Sequence, residues 1–514
     1  MNDSVLPSSS TLIALVAERV KKIPAEWLIA LVIGLVHLAV AWRYDIFRNE
    51  LYFIVCGMHP DFGFVDQPPL VPLLAAATQL FGDNPWLLRL PAVAAATGLV
   101  ILTASFARLL GGNSTAARIA GLAAGIAPAL MALTTATTTA TFEPIAWTAF
   151  AYFLTRAVVR EDRRALLWAG VVAGMAMEAK YGIAFWLVPL GIGVPLTPAR
   201  RILAWPALWL GALIAVLLAV PSLIWQALHG WPFLEVHANH LARGANFTGT
   251  PIRFEVIQLF AMNILLAPLW IAGVVAPFLW APLKPARFLS VGLLGATILV
   301  FLAHGKDYYL FPAYPSLFAV GAVVLAQVRP AVRTVWLAAA LIVSLIIAPI
   351  VLPILDPPAL AAYLSFSHLA PPPSEAAAVG APLTQLFSDE LGWRDLEKQV
   401  ASIYHSLPAE ERSRTAILAA DYGEAAALDV YGLPPALCGQ NQYFLWGARG
   451  YDGSSIIHVN GDLNRWRRGC DSVEVVGKFG APYSMPYENE RPIFICRGLR
   501  RNLSEIWSRL KRYE

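Results

Sequence analysis

Charge is what this chain has least of. Only 14% of its 514 residues are charged, against about 25% in soluble domains, while 57% are hydrophobic. Mean hydropathy is +0.58. That scarcity excludes a soluble protein with a large core and leaves an integral membrane protein. The net charge of +4 is small for this length and points to no nucleic-acid partner. No repeat of fixed period is visible, and the one low-complexity run is TTATTTAT at 134–141. A cleavable signal peptide is not evident: Met1–Ser10 is polar and Lys21 and Lys22 precede the first good span, which begins near Trp27. Proline and glycine, by contrast, are plentiful at 38 and 36. That suits a polytopic bundle whose broken helices line cavities.

A crossing helix needs about 20 apolar residues. The hydropathy pattern predicts about eleven spans, near 27–44, 86–109, 116–133, 143–158, 165–180, 182–198, 203–224, 256–280, 288–303, 308–327 and 334–353. Lys180-Tyr181-Gly182 divides the two short spans 165–180 and 182–198. Arg108/Arg118, Arg156/Arg160/Arg163/Arg164, Arg200/Arg201, Lys284/Arg287 and Arg329/Arg333 fall in alternate gaps, as do Lys21/Lys22. The positive-inside rule makes those gaps cytoplasmic. The N-terminal segment 1–26 is then inside, 27–353 is the transmembrane domain, and everything past 354 lies outside.

The exported tail is different material. Residues 354–383 are proline-rich and read as a linker. The remainder, 384–514, shows a polar helical stretch near 384–406 and short alternations such as RTAILAADY and DSVEVVGKF, which read as strands. A small α/β or α+β domain is expected there. Three of the four cysteines, Cys438, Cys470 and Cys496, lie in it. An oxidising location permits a disulfide between two of them, and the spacing does not say which.

This topology places the interesting ionisable groups on the outer side. Glu50, Asp61 and Asp66 fall in the first outer loop, and Glu143 opens the fourth span. Glu235, His237 and His240 occupy a long outer loop, with Arg253 at its end; Lys180, Lys306 and Asp307 share that side. Ionisable residues at membrane depth mark functional sites by default. A carboxylate can take a proton from an acceptor hydroxyl, and Lys or Arg can hold a departing phosphate. Glycosyl transfer from a lipid-linked donor and proton-coupled transport are both compatible with such a cavity.

Longer motifs add to this. The first outer loop reads RNELYFIVCGMHPDFGFVDQPPLV, followed in order by FEPIAWTAFAYFL, GMAMEAKYGIAF, HGKDYYLFPAYPSLFAVGA and DYGEAAALDVYG with GQNQYFLWG. Over roughly 27–450 the chain resembles the bacterial branch of the family 39 glycosyltransferases, the protein O-mannosyltransferase and lipid A aminoarabinose-transferase group with the type C fold. The resemblance implies inverting transfer of a sugar from a polyprenyl-phosphate carrier to a lipid, glycan or protein acceptor. The outer face of a bacterial inner membrane would be its place.

The resemblance also implies roles. Glu50, Asp66 and Glu143 become the candidate acids. Lys180 and Lys306 match the family's cations and become phosphate ligands; Arg253 reads as a further phosphate ligand or an ordinary interfacial cation, and Tyr308 and Tyr309 as the lining of the donor groove or an aromatic interface belt. Asp66 with His240 is a possible pair of ligands for a divalent metal. One position departs from the pattern. The family carries Asp-Glu where this chain carries Asn49-Glu50, and an amide cannot serve as a base. Either a neighbouring acid takes the proton, or Asn49 only orients the acceptor, or the protein binds without turnover. A flippase of lipid-linked sugars is the alternative from another class. Asp61 reads as a solvated loop charge, and Tyr443 and Trp446 read as core.

Overall fold

A computed structural model describes residues 24–82, 84–243, 249–371 and 378–514. Lys21 and Lys22, and part of the proline-rich linker, lie outside the described residues. Every segment expected to span coincides with a helix or a broken pair of helices. Among the described residues five helices are individually long and apolar enough to cross a bilayer: Pro85–Leu109, Pro206–Leu228, Ala281–Leu302, Asp307–Leu325 and Pro330–Val351. Two bent pairs would raise that number to seven. Trp209, Leu213, Leu217 and Ile224 on one of these helices, and Val335, Ile342 and Leu345 on another, are exposed apolar side chains. In a bilayer they face lipid. The helices Arg164–Ala179 and Pro206–Leu228 cross so closely that a Cβ on Gly170 would strike the backbone of Gly211. Backbone proximity through small residues is the usual way membrane helices gain packing contacts.

The expected straight span at 256–280 is corrected by the fold. Helices Pro251–Ala261 and Ile264–Leu279 meet at 94°. Asn263 makes the corner at φ 67°. Its side chain accepts from the Leu265 amide at 3.0 Å and donates to Ala340 O and Ser344 Oγ, each at 2.8 Å. The first bond satisfies an amide that the break would otherwise leave bare, and the other two tie the corner to helix Pro330–Val351. The first outer loop is also more ordered than its sequence suggests. It contains the helix Arg48–Met58 and, past the Pro68-Pro69 corner, the apolar helix Leu70–Gln79. The linker region holds a helix as well, Pro357–Ser367, capped by Asp356.

The C-terminal domain, the one expected to be exported, is built on a five-stranded mixed sheet. Its strands are β1 (Thr415–Ala419), β2 (Leu437–Cys438), β3 (Ser455–Val459), β4 (Cys470–Phe479) and β5 (Arg491–Leu499), in the order β2-β1-β3-β5-β4. The expected polar helix is Trp393–Ser406, after a short turn at Gln385–Ser388. One sheet face, with Ile417, Ala419, Ile457, Ile493 and Ile495, packs into one apolar cluster with Leu51, Tyr52, Phe53 and Val55 of the first outer helix. The other face packs on Trp466 and Trp507. The domain is thus fused to the membrane part through a shared core rather than tethered to it.

Cys470 and Cys496 form a disulfide joining β4 to β5, while Cys56 and Cys438 are buried thiols. The bridge closes 26 residues. Replacing both cysteines by serine should cost the domain about 3 kcal/mol on the chain-entropy account. Thermal unfolding of the purified protein should show the lower midpoint, and added reductant should reproduce it in the wild type.

Candidate active site

Asp66 sits on a loop that is fixed on three sides. The Phe64 amide donates to Gln67 O at 3.0 Å, just before the Pro-Pro corner. Proline restrains both its own φ and the residue before it, so the turn has little freedom. From the membrane part, Gln226 Nε2 donates to Phe64 O at 2.8 Å. From the exported domain, Gln442 Oε1 accepts from the Val65 amide at 3.2 Å. The carboxylate itself takes the Tyr52 hydroxyl on Oδ1 at 2.8 Å and Asn441 Nδ2 on Oδ2 at 3.3 Å. Asp66 is half-buried. Burial raises its carboxyl to about 6, against the opposing pull of those two hydrogen bonds. Asp61 is exposed, as expected of a loop charge, and also accepts from the Trp225 indole at 2.8 Å, which helps pin the loop.

A second centre lies where helix Arg164–Ala179 breaks. Lys180 is extended there, and its Nζ donates to Glu143 Oε2 at 2.6 Å. The ammonium lies 5.2 Å from the Tyr308 ring centre and 4.8 Å from that of Tyr309. Four residues proposed separately from the sequence therefore form one group. Gly182 packs against this pair: a Cβ there would meet Glu143 Oε1 and oblige that carboxylate to shift. The two centres are linked. Phe142 and Ala179, which precede Glu143 and Lys180, pack in the same cluster as Tyr52 and Phe64. Gln226 holds Phe64 O and also accepts from the Phe233 amide, and the Phe233 ring meets Tyr181 at 4.9 Å.

The remaining candidates are placed differently. Lys306 is half-exposed and Arg253 exposed. Both act electrostatically on the Asp307 carboxylate, so they form a cationic rim beside the Tyr308-Tyr309 pair. Asn49 Oδ1 accepts from the Tyr422 hydroxyl of the exported domain at 2.7 Å. Glu50 is fully buried. Its oxygens take the Thr137 amide at 2.7 Å, the Phe47 amide at 3.0 Å and the Arg89 guanidinium at 3.0 Å. Its ion-pair partner is Arg89. Arg48 pairs instead with Asp389 at 3.5 Å and lies over the rings of Tyr422 and Tyr487.

Among the described residues no three His, Cys, Asp or Glu side chains converge on a possible metal position. Both oxygens of Asp66 are already engaged by O–H and N–H donors, and His240 stands on a separate helix, Pro232–Ala242. Among the described residues no third ligand joins the expected Asp66–His240 pair, and no step below passes through a metal.

Sequence reasoning missed Arg89, Tyr52, Tyr422, Asn441 and Glu390. For Arg89 the signal was available: an arginine one turn into an apolar span demands a buried partner. Tyr52, Tyr422 and Asn441 lie inside quoted motifs and Glu390 outside them, but nothing local reveals that Tyr422 and Asn441 meet the loop at 47–72 from more than 370 positions away.

No curated protein matches the chain at significant similarity. Solved structures do. The structure of ArnT from Cupriavidus metallidurans in the apo state matches with a TM-score of 0.62 at 16% identity, covering 91% of this chain and 97% of that one. The same protein bound to undecaprenyl phosphate matches with a TM-score of 0.59 at 15% identity over the same shares. At that identity the likeness establishes a common fold. Residues 66–225, which hold Asp66, Glu143 and Lys180, match the family model of the dolichyl-phosphate-mannose-protein mannosyltransferases. The resemblance to the family 39 glycosyltransferases is thus carried by this match and by the shared fold.

Proposed function

We propose that the protein transfers a sugar from a polyprenyl-phosphate donor to an acceptor at the outer face of the bacterial inner membrane, with inversion. The observation that carries this reading is the pairing of a half-buried, hydrogen-bonded carboxylate, Asp66, with a cation–aromatic group around Lys180 in one linked outer region. The likeness to ArnT, solved with undecaprenyl phosphate, supports the donor class. The N-terminus would be cytoplasmic and the exported domain periplasmic.

Asp66 takes the proton of the acceptor hydroxyl. The acceptor oxygen attacks the anomeric carbon, and the bond from that carbon to the carrier phosphate breaks with its electron pair leaving on phosphate. Lys180 has three donors, of which Glu143 uses one, so the others can receive that charge. Lys306 and Arg253 add cationic charge at the rim, and Tyr308 and Tyr309 flank the sugar–phosphate junction. Glu50 supports the fold beneath Asp66. A single displacement gives inversion.

Lys180→Met should lower kcat by roughly 100-fold, the cost typical of losing one preorganised charge donor. The defining assay uses proteoliposomes and a labelled polyprenyl-phosphate sugar, resolved by thin-layer chromatography. Transfer releases the bare carrier phosphate and moves label to lipid A, a surface glycan or a protein. A flippase would move intact donor across the bilayer, and a binding-only protein would retain donor without turnover. Either outcome overturns the proposal.

A further inference from the structure

The exported domain reaches the Asp66 centre through one turn, Gln440 to Gln442. Asn441 is buried there and adopts a left-handed backbone at φ 44°. The segment ending at Glu514 docks along this turn: the Asn441 amide donates to Arg512 O at 3.0 Å, and Gln440 bridges Arg512. The Asn441 side chain is held at both ends. Its Oδ1 accepts from the Glu514 amide at 2.9 Å, and its Nδ2 donates to Glu514 O at 2.6 Å. These bonds fix which way the amide points, so the second N–H of Nδ2 faces Asp66 Oδ2. Tyr52 is directed in the same manner. Its oxygen accepts the Gln442 amide at 3.1 Å, which turns its own proton toward Asp66 Oδ1. Two donors from different elements thus converge on one carboxylate, and the exported domain sets the direction of each.

We propose that Asn441 and Tyr52 are positioning residues for the base, and that the exported domain is a working part of the active site. This rests on the reading of Asp66 as the base. An ionised carboxylate offers about four lone-pair sites. Tyr52 and Asn441 occupy two and hold the group still, and the open sites receive the acceptor hydroxyl. The same two bonds favour the anion over the neutral acid. They keep a partly buried carboxylate usable near neutral pH.

Tyr52→Phe removes one donor with little change in shape. Asn441→Gly removes the other while keeping a backbone that glycine adopts freely. In each variant the acid limb of kcat should move up by about one pH unit, with KM for the donor unchanged within about twofold. A merely structural role would lower the amount of folded enzyme and leave the pH profile where it was. That result in both variants overturns the proposal. A second readout separates this inference from the proposed function. The infrared C=O band of protonated residue 66, assigned as the one lost in Asp66→Asn, should titrate at higher pH in both variants even if no transfer is found. An unchanged midpoint overturns the positioning role. A wild type without transfer overturns the proposed function alone.

Discussion

Asp66→Asn should reduce sugar transfer by about 1000-fold, within the range of roughly 10²–10⁴ typical of a lost general base. The substitution keeps size and most hydrogen-bonding capacity, so the folded fraction should change little. The argument runs by comparison among the outer acids. Glu50 is sealed by two backbone amides and Arg89. Glu143 is bound to Lys180. Asn49 has no carboxylate. Asp66 is half-buried, held by two uncharged donors and raised to about 6 by burial. A base must be ionised, so wild-type kcat should fall as pH drops through about 6. For stability the sign is opposite. The folded carboxyl titrates above its unfolded value of 3.8, so its contribution is fully present below about 4 and is lost as pH rises through about 6. Activity and stability should therefore cross in that window. Rate profiles of transfer and thermal unfolding measured side by side would show it.

Arg89→Met should destabilise the protein by about 3–5 kcal/mol, the cost of leaving a buried charge without its partner. Arg89 lies almost wholly inside and touches three parts of the molecule. It donates to Ala41 O at 3.0 Å and Asp45 O at 2.8 Å, and it pairs with Glu50 at 3.0 Å and with Glu390 of the exported domain at 3.2 Å. One cation faces two carboxylates. Burial chiefly, with the nearby Glu50 charge adding to it, raises Glu390 to about 8 against the pull of Arg89. Glu50→Gln should also destabilise, yet it should leave the pH at which transfer half-falls unchanged, because Glu50 does not take the proton. The double variant Arg89→Met with Glu50→Gln should recover part of the loss. Unfolding midpoints in detergent for the three variants would measure this. Equal stability of Arg89→Met and wild type would remove Arg89 from the account.

Much of this molecule was legible in its sequence. Hydropathy located the helices, because the bilayer imposes length and composition on each one. It could not show the 94° corner at Asn263, whose side chain bonds to Ala340 and Ser344, far along the chain. The Pro-Pro corner correctly pointed to a rigid Asp66. Its partners were hidden, since Asn441 lies 375 positions away and acts through a turn held by residues 512–514. The surroundings of Glu50 were hidden for a related reason. The text RNEL marks an acid beside Asn49, but its role depends on Arg89, which belongs to a different helix. The substitution at Asn49 is also clearer. Its amide contacts Tyr422 of the C-terminal domain, so position 49 joins the two domains, while the proposed function gives the proton to Asp66.

A cryo-EM structure of the Asp66→Asn variant with a polyprenyl-phosphate sugar bound would test the central claim most directly. The account predicts the carrier phosphate on Lys180 beside Tyr308 and Tyr309, with the anomeric carbon facing residue 66 across a gap that fits one acceptor hydroxyl. A sugar seated against Glu143 or Glu50 instead, with residue 66 turned away from the anomeric carbon, would contradict it.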